Sequence, residues 1–158
     1  MWHHPWPEDI ISNLVSSKNR EGAIANSDLD LAVLIIHKAT LLSAVPDDRL
    51  AATCSGSDNT PTVSWSTKEV STINPVVADL IRIHALHSRQ FFINPSIFYH
   101  LGIKNCMADD ASCLFDISET SLLTHMSDAY TQPHSLWKIS LPPLDLLSCV
   151  IYTLRRKL

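Results

Sequence analysis

Three aspartates that could bind metal ions are spread along this chain: Asp30 in NSDLDLAV, Asp58 in SGSDNTPTVSW and Asp109 in YHLGIKNCMADDASC. Mg²⁺ prefers oxygen ligands, and a two-metal phosphodiesterase site holds its ions about 3.5 to 4 Å apart with carboxylates from distant parts of a chain. Each aspartate falls in a different predicted element. Together they resemble most of a metal-dependent nuclease site, which the fold would have to assemble.

Composition and charge limit the classes of protein to consider. The chain has 158 residues, of which 46% are hydrophobic, so it is long enough for one domain with a core. Its net charge of −4 argues against a large basic surface for nucleic acid, and any such role must be local and metal-assisted. The apolar windows LAVLIIHKATLLSAV and LLSCVIYTL fall short of the ~20 residues that span a bilayer, so we expect no membrane partner.

The cysteines and the basic C-terminal residues have ordinary interpretations. No CxxC pair occurs among Cys54, Cys106, Cys113 and Cys149. We therefore expect free thiols in a reducing intracellular compartment, cytoplasmic or nuclear, rather than a disulfide framework or zinc site. Arg155, Arg156 and Lys157 close a predicted helix, where they suit the negative end of its dipole better than a membrane patch.

Residue patterns predict alternating helices and strands. Ser27 is a predicted N-cap, with Asp30 completing a capping box, and Thr60 and Asn74 are predicted caps ahead of prolines. The predicted elements are a helical turn at Pro7–Leu14, a strand end near Ala23–Ala25, helices at Ser27–Leu42, Thr60–Thr67 and Asn74–His87, a weak strand at Leu50–Thr53, strand pieces in QFFINPSIFYH ending at His100, a turn at Gly102, a helix from Met107, and helices at Ser121–Tyr130 and Leu144–Lys157.

From about residue 26 to 115 the motifs resemble the ribonuclease H domain attached to reverse transcriptases of retroelements, especially the gypsy-like and tyrosine-recombinase-bearing kinds. In that family a strand, a helix, another strand end and a final helix deliver four acids in the order Asp, Glu, Asp, Asp. Asp30 matches the helix pattern N-S-x-x-E-L-x-A, and Asp58 matches S-D-N after a strand. Asp109 matches Y-x-x-G-x-x-N-x-x-A-D-x-x-S-R, with Cys113 where arginine is usual.

The resemblance implies a fold and a chemistry. It implies an α/β fold with a ribonuclease H-like mixed sheet and flanking helices in residues 1–117, followed by a C-terminal helical extension in residues 118–158. Asp30, Asp58 and Asp109 would bind Mg²⁺ or Mn²⁺, and the substrate would be the RNA strand of an RNA–DNA hybrid. His100 lies near the position where related nucleases place a mobile histidine that helps the leaving group or product depart, and its alternative interpretation is a partly exposed histidine at a strand end.

The departures from the family pattern predict an impaired site. No D-A-S-x-x-G-x-G-like stretch precedes Asp30, so the chain resembles a ribonuclease H domain without its first strand and first catalytic acid. Asp30 is also one methylene shorter than the usual Glu, and Mg²⁺ with ligands at about 2.0 to 2.1 Å tolerates such displacement poorly. We expect reduced or absent activity, and a partner chain or polyprotein segment that supplies the missing strand.

Each candidate also has a purely structural interpretation. Asp30 could only cap a helix, Asp58 could be an ordinary turn residue, and Asp109 and Asp110 could be acids in a first helical turn, with Asp110 the solvated neighbour. The alternative to a nuclease is therefore a non-catalytic α/β or helical protein-interaction module.

Histidine and aromatic groups elsewhere favour structural roles. His84 and His87 could share a metal, but no third ligand of matching spacing is visible, so ordinary helix histidines are the better interpretation. An aromatic run could stack nucleic-acid bases, although a core strand explains it with fewer assumptions. The run comprises Phe91, Phe92, Phe98 and Tyr99.

Overall fold

A computed structural model of the chain describes residues 4–44, 54–68, 74–90, 96–114, 117–132 and 136–158. The described residues form α1 (Glu8–Ser12), α2 (Asn26–Ala44), β1 (Cys54–Ser57), α3 (Thr60–Lys68), α4 (Pro75–Gln90), β2 (Ser96–Tyr99), a 3₁₀ turn (Gly102–Lys104), α5 (Cys106–Cys113), α6 (Glu119–Ala129) and α7 (Leu144–Arg155). Within these ranges, no helix combines the length and the apolar character that crossing a membrane would require.

α2 is the central helix of the hydrophobic core. Its apolar residues run almost all the way round, and Leu31, Ile35 and Ile36 are fully buried. α3, α4 and α7 all pack against it. A helix that is apolar on every side is stable only when neighbours cover several of its faces. α2 is accordingly covered on several sides by these three helices.

The N-terminus of α2 is capped by a different acid from the one predicted. The helix begins at Asn26, so Ser27 lies inside the first turn. The Ala25 N–H donates to Asp28 Oδ2 at 2.8 Å, which is the acidic half of a capping box. The predicted cap at Ser27 and the predicted capping role of Asp30 are therefore wrong. The helix begins earlier than expected, which puts Asp28 in the capping position.

α4 and α7 complete the core beside α2. Asn74 caps α4 as predicted, since its Oδ1 accepts the Val76 N–H at 3.1 Å. The apolar stripe of α4 packs against that of α7 and against two residues near the N-terminus. The buried members are Val76, Val77, Leu80 and Ile81 of α4, Leu147, Val150 and Leu154 of α7, and Ile10 and Ile24. Burying each such side chain contributes about 1.5 to 3 kcal/mol, so this cluster is the main source of stability.

Three consecutive basic residues at the end of α7 tie it to three other helices. We call Arg155, Arg156 and Lys157 the C-terminal clamp. Each contacts an acid on a different helix: Arg155 with Asp9 on α1, Arg156 with Asp79 on α4, and Lys157 with Asp28 on α2. The first contact is bidentate, at 2.6 and 3.0 Å. The C-terminal clamp therefore holds the end of α7 against the core through ion pairs that the helix dipole alone did not predict.

β1 and β2 form a two-stranded parallel sheet, in which Cys54 pairs with Ser96 and Ser57 with Tyr99. Parallel strands need a connection of a dozen or more residues, and α3 and α4 lie in it. α3 packs against both strands. The predicted α/β class is confirmed in a coarse form, a mostly helical chain with a small parallel sheet. The weak strand predicted at 50–53 lies outside the described residues, and β1 follows directly after it.

The aromatic residues of β2 are not in the core. Phe98 and Tyr99 are 45% and 51% exposed. The prediction of a core strand is wrong for these two residues, because two short strands packed on α3 leave much of the strand surface in solvent. Phe91 and Phe92 lie outside the described residues.

α6 packs against α5, and α7 packs within the hydrophobic core. α5 and α6 pack against each other, and the Ser118 Oγ caps α6 by accepting the Ser121 N–H at 3.2 Å. α7 shares the core of α2 and α4, although it follows the predicted boundary between residues 117 and 118, which stays a prediction. Cys106, Cys113 and Cys149 are exposed free thiols.

Candidate functional site

The carboxyl ends of β1 and β2 lie side by side. Because the strands are parallel, Asp58 directly follows one and His100 directly follows the other at the same edge of the sheet. The His100 N–H donates to the Ser57 oxygen at 2.9 Å and extends the pairing by one residue. We call the residues at this end, Asp30, Asp58, Asn59, His100 and Gly102, the sheet edge. The carboxyl ends of parallel strands are where α/β proteins commonly bind ligands.

Gly102 lies against the carboxylate of Asp58. A Cβ atom built on Gly102 would be 3.1 Å from Asp58 Oδ2, closer than most real Cβ contacts. The sequence predicted a turn at Gly102, and the chain does enter a 3₁₀ turn there. The close approach to Asp58 is a further reason for glycine at this position, because a side chain would displace the carboxylate.

Asp30 joins the sheet edge from the second turn of α2. Its Oδ2 accepts a hydrogen bond from Asn59 Nδ2 at 2.6 Å. Burial raises the pKa of the Asp30 carboxyl, the hydrogen bond from Asn59 lowers it, and the negative charge of Asp58 raises it. The hydrogen bond from Asn59 places the Asp30 carboxylate against the residue that directly follows Asp58, although Asp30 is distant from both in sequence.

Asn59 links these acids, and the sequence predictions gave it no role. Its Oδ1 accepts the Thr62 N–H at 3.1 Å, so Asn59 caps α3. The predicted cap at Thr60 is wrong, because Thr60 is the first residue of the helix. The signal was present in the motif SDNTP, since asparagine is among the best N-cap residues.

Asp109 lies on α5, where its N–H donates to the Asn105 oxygen at 3.0 Å in the first helical turn. Across the described ranges, no three or more His, Cys, Asp or Glu side chains are grouped so as to hold a metal ion. The structure thus links Asp30 to the end of β1 through Asn59, and none of the three predicted ligands belongs to a larger group of this kind within the described residues.

Asp110, predicted as the solvated neighbour, has specific partners. Its Oδ2 accepts the Tyr130 hydroxyl at 2.8 Å and lies 3.5 Å from His125 Nε2. The hydrogen bond to Asp110 raises the pKa of Tyr130 to about 12. This carboxylate joins α5 to α6, and the prediction of a merely solvated residue is wrong.

His100 contacts the backbone and an aromatic ring at the sheet edge. Its Nε2 lies 3.1 Å from the Lys104 oxygen, and its ring meets Phe98 edge-on with centroids 6.1 Å apart. The contact with Lys104 assigns the proton to Nε2, because a carbonyl oxygen can only accept. The imidazole at the sheet edge therefore has one nitrogen already used by the protein.

A buried lysine–histidine pair lies inside the core. Lys38 Nζ is 2.9 Å from His84 Nε2, and the residues are 5% and 3% exposed. Burial, followed by the positive charges of Lys38 and His87, lowers the pKa of His84 to about 4. An ammonium group can only donate, so His84 accepts as a neutral ring. The contact with a cation explains why His84 is unsuited to share a metal with His87.

Comparison of the chain with models of protein families, with curated proteins and with solved structures finds no match.

Proposed function

We propose that this chain is a retroelement-derived ribonuclease H-like domain whose sheet edge keeps part of an ancestral two-metal site for hydrolysing RNA in RNA–DNA hybrids. The observation that carries the proposal is the approach of Asp30 to Asp58 at the carboxyl ends of two parallel strands. Two carboxylates of like charge at one edge reduce stability unless a cation binds between them, and such clusters are typical of functional sites.

The order of the elements supports the same proposal. The chain runs from α2 with Asp30, through β1 ending at Asp58, to β2 ending at His100, and then to α5 with Asp109. This is the order of helix, strand end and final helix that the resemblance implies for the second, third and fourth acids. The two strands are also parallel neighbours, so the residues that follow them lie at the same edge of the sheet.

The chemistry of the proposed site would be incomplete. Asp30 and Asp58 supply oxygen ligands suited to Mg²⁺ or Mn²⁺, which would activate a water and stabilise the leaving oxygen of the RNA strand. No group of three or more potential metal-binding side chains forms among the described residues, and Asp30 is shorter than the Glu of the family pattern. We therefore propose weak metal binding and impaired or absent hydrolysis for this chain, with a strand from a partner chain or polyprotein segment needed to complete the sheet.

A thermal melt with and without metal tests the proposal. An ion at ten times its Kd stabilises the native state by about 1.4 kcal/mol, which raises the melting temperature of a chain this size by about 3 to 6 °C. We expect millimolar Mn²⁺ or Mg²⁺ to give such a rise, and Asp58→Asn to abolish it. Asp128→Asn, which removes an exposed acid of α6, should leave the rise intact.

Indifference of the wild-type melt to metal would contradict the proposal. If the rise occurs, a labelled RNA–DNA hybrid tests the second part of it. Cleavage should be slow or undetectable, and Asp58→Asn should remove whatever remains. Hydrolysis at a rate typical of enzymes, about 1 to 10³ per second, would overturn the proposed impairment.

One observation favours a non-catalytic interaction module as the second candidate. Phe98 and Tyr99 are exposed on β2, and unprotected strands invite pairing with another chain. In such a module the three aspartates would have structural roles, and neither a metal ion nor an RNA–DNA hybrid would bind. Dimerisation or partner binding that Phe98→Ser abolishes, in a chain whose melt ignores metal, would favour this candidate.

A further inference from the structure

Asn59, which directly follows Asp58, has a hydrogen-bond partner for its backbone N–H and for both polar atoms of its side chain. Its backbone N–H donates to Ser57 Oγ at 3.1 Å, its Oδ1 accepts the Thr62 N–H at 3.1 Å, and its Nδ2 donates to Asp30 Oδ2 at 2.6 Å. These contacts fix the orientation of the side-chain amide, because a flipped amide would place oxygen against carboxylate and nitrogen against N–H. The side chain of Asn59 therefore has one favourable orientation.

The carboxylate of Asp30 is bound through one oxygen. Asn59 Nδ2 reaches Oδ2 at 2.6 Å, and Asn26 Nδ2 lies 3.5 Å from the same atom. The side-chain amides of Asn59 and Asn26 thus share Oδ2. Within the described residues they leave Oδ1 of Asp30 for a cation. Neutral donors suit this position, since a lysine or arginine would neutralise the carboxylate that a metal needs.

We propose that Asn59 is a positioning residue, whose amide holds the Asp30 carboxylate at the sheet edge through Oδ2 and leaves Oδ1 to bind a divalent cation. The inference rests on the proposed function for the cation, while the positioning rests on the hydrogen bonds alone. Outer hydrogen bonds to ligating carboxylates typically change metal affinity 10- to 100-fold when they are removed. Asn59 also caps α3, so its position is fixed by a rigid element rather than by a loose turn.

Asn59→Ser separates the positioning role from the capping role. A serine hydroxyl accepts N–H groups at helix N-termini about as well as asparagine does, and it is too short to reach Asp30. The matched control is Asn74→Ser, because Asn74 caps α4 through the same kind of contact, from Val76 N–H to Oδ1 at 3.1 Å. The two variants should lower the melting temperature by similar, small amounts.

Two measurements on the full chain test the proposal. In the ¹⁵N-resolved NMR spectrum without metal, Asp30→Ala should shift the side-chain amide resonances of Asn59 and leave those of Asn74 in place. In a calorimetric titration with Mn²⁺, Asn59→Ser should weaken binding about tenfold, and Asn74→Ser should not change it.

The outcomes separate the two proposals. Asn59 amide resonances that ignore Asp30→Ala, or wild-type Mn²⁺ affinity in Asn59→Ser, would overturn the positioning role. A wild-type chain that binds no Mn²⁺ at millimolar concentration would refute the proposed function. The amide resonances would then decide alone whether Asn59 positions Asp30.

Discussion

The helical core and the sheet edge meet on α2, where two acids in adjacent turns have different partners. Asp28 is 1% exposed, and its carboxylate is bound by the Ala25 N–H and the Lys157 ammonium. Asp30 is bound by an uncharged amide and lies near the charge of Asp58. The core thus pairs its acid with a cation, whereas the sheet edge brings like charges together. The first arrangement stabilises the fold, and the second is the arrangement that the proposed cation site requires.

The largest contrast is expected between Asp28→Ala and Asp30→Ala. Asp28→Ala removes a cap and leaves Lys157 beside the vacated position, and it should cost about 2 to 4 kcal/mol. Asp30→Ala removes a carboxylate whose charged form is disfavoured by burial, and stability should change by less than about 1 kcal/mol. Urea denaturation of both variants measures the difference. Equal losses would show that Asp30 is also a structural acid.

A pH dependence belonging to the core should follow from His84. Its pKa of about 4 lies below the ordinary value of 6.5, so the unfolded chain takes up the proton first as the pH falls. The free energy of unfolding should therefore not depend on His84 above pH 6.5. It should fall progressively between pH 6.5 and pH 4, by up to about 3 kcal/mol. His84→Gln, which keeps an acceptor for Lys38, should flatten the dependence of unfolding free energy on pH in this window. An unchanged dependence on pH would contradict a neutral His84 ring beside Lys38.

Within the C-terminal clamp, the buried contact should matter more than the exposed one. Lys157→Met leaves the buried Asp28 carboxylate without its cation and should cost about 1 to 3 kcal/mol. Arg155→Met breaks an exposed pair with Asp9, so it should cost less, and 1 M NaCl should remove most of its effect. Denaturation at two salt concentrations checks both statements. A larger loss from Arg155→Met would reverse this ranking.

The smallest effect on stability, and a specific effect on binding, is expected at Gly102. A methyl group there would displace Asp58 Oδ2 by a few tenths of an ångström, while neither Gly102 nor Gly56 has a left-handed backbone. Gly102→Ala should change the unfolding free energy by less than about 1 kcal/mol and weaken Mn²⁺ binding severalfold. Gly56→Ala would place its methyl group 3.2 Å from the Phe98 ring and 3.4 Å from the His100 Cβ, so it is the matched control for displacement of the Asp58 carboxylate alone. Equal Mn²⁺ affinities in the two variants would argue against Asp58 as a ligand.

Local patterns predicted the helices of the core and the strand that ends before His100. The apolar run of α2, the cap of α4 at Asn74 and the position of His100 after a strand follow from neighbours in sequence, whereas the position of Asp58 after a strand came from the resemblance. The capping errors at Ser27 and Thr60 come from the same source, because the preference for a cap does not decide between adjacent polar residues.

Contacts between residues that are distant in sequence could not be predicted from the sequence. The pairing of Lys38 with His84 spans 46 residues, and that of Lys157 with Asp28 spans 129. Periodicity places a residue on a helix face but does not choose its partner on another helix. For the same reason the pattern suggested a common site for Asp30, Asp58 and Asp109, and could not show which side chain links Asp30 to the end of β1.

The most direct test of the sheet edge as a cation site is paramagnetic line broadening by Mn²⁺ in the amide spectrum of the ¹⁵N-labelled chain. At Mn²⁺ concentrations well below that of the protein, the backbone amides of Asp58, Asn59 and Gly102 should broaden first. Amides deep in the core, such as that of Val150, should stay sharp. Broadening that begins at exposed acids elsewhere, such as Asp128 and Asp145, or no broadening at all, would contradict the account.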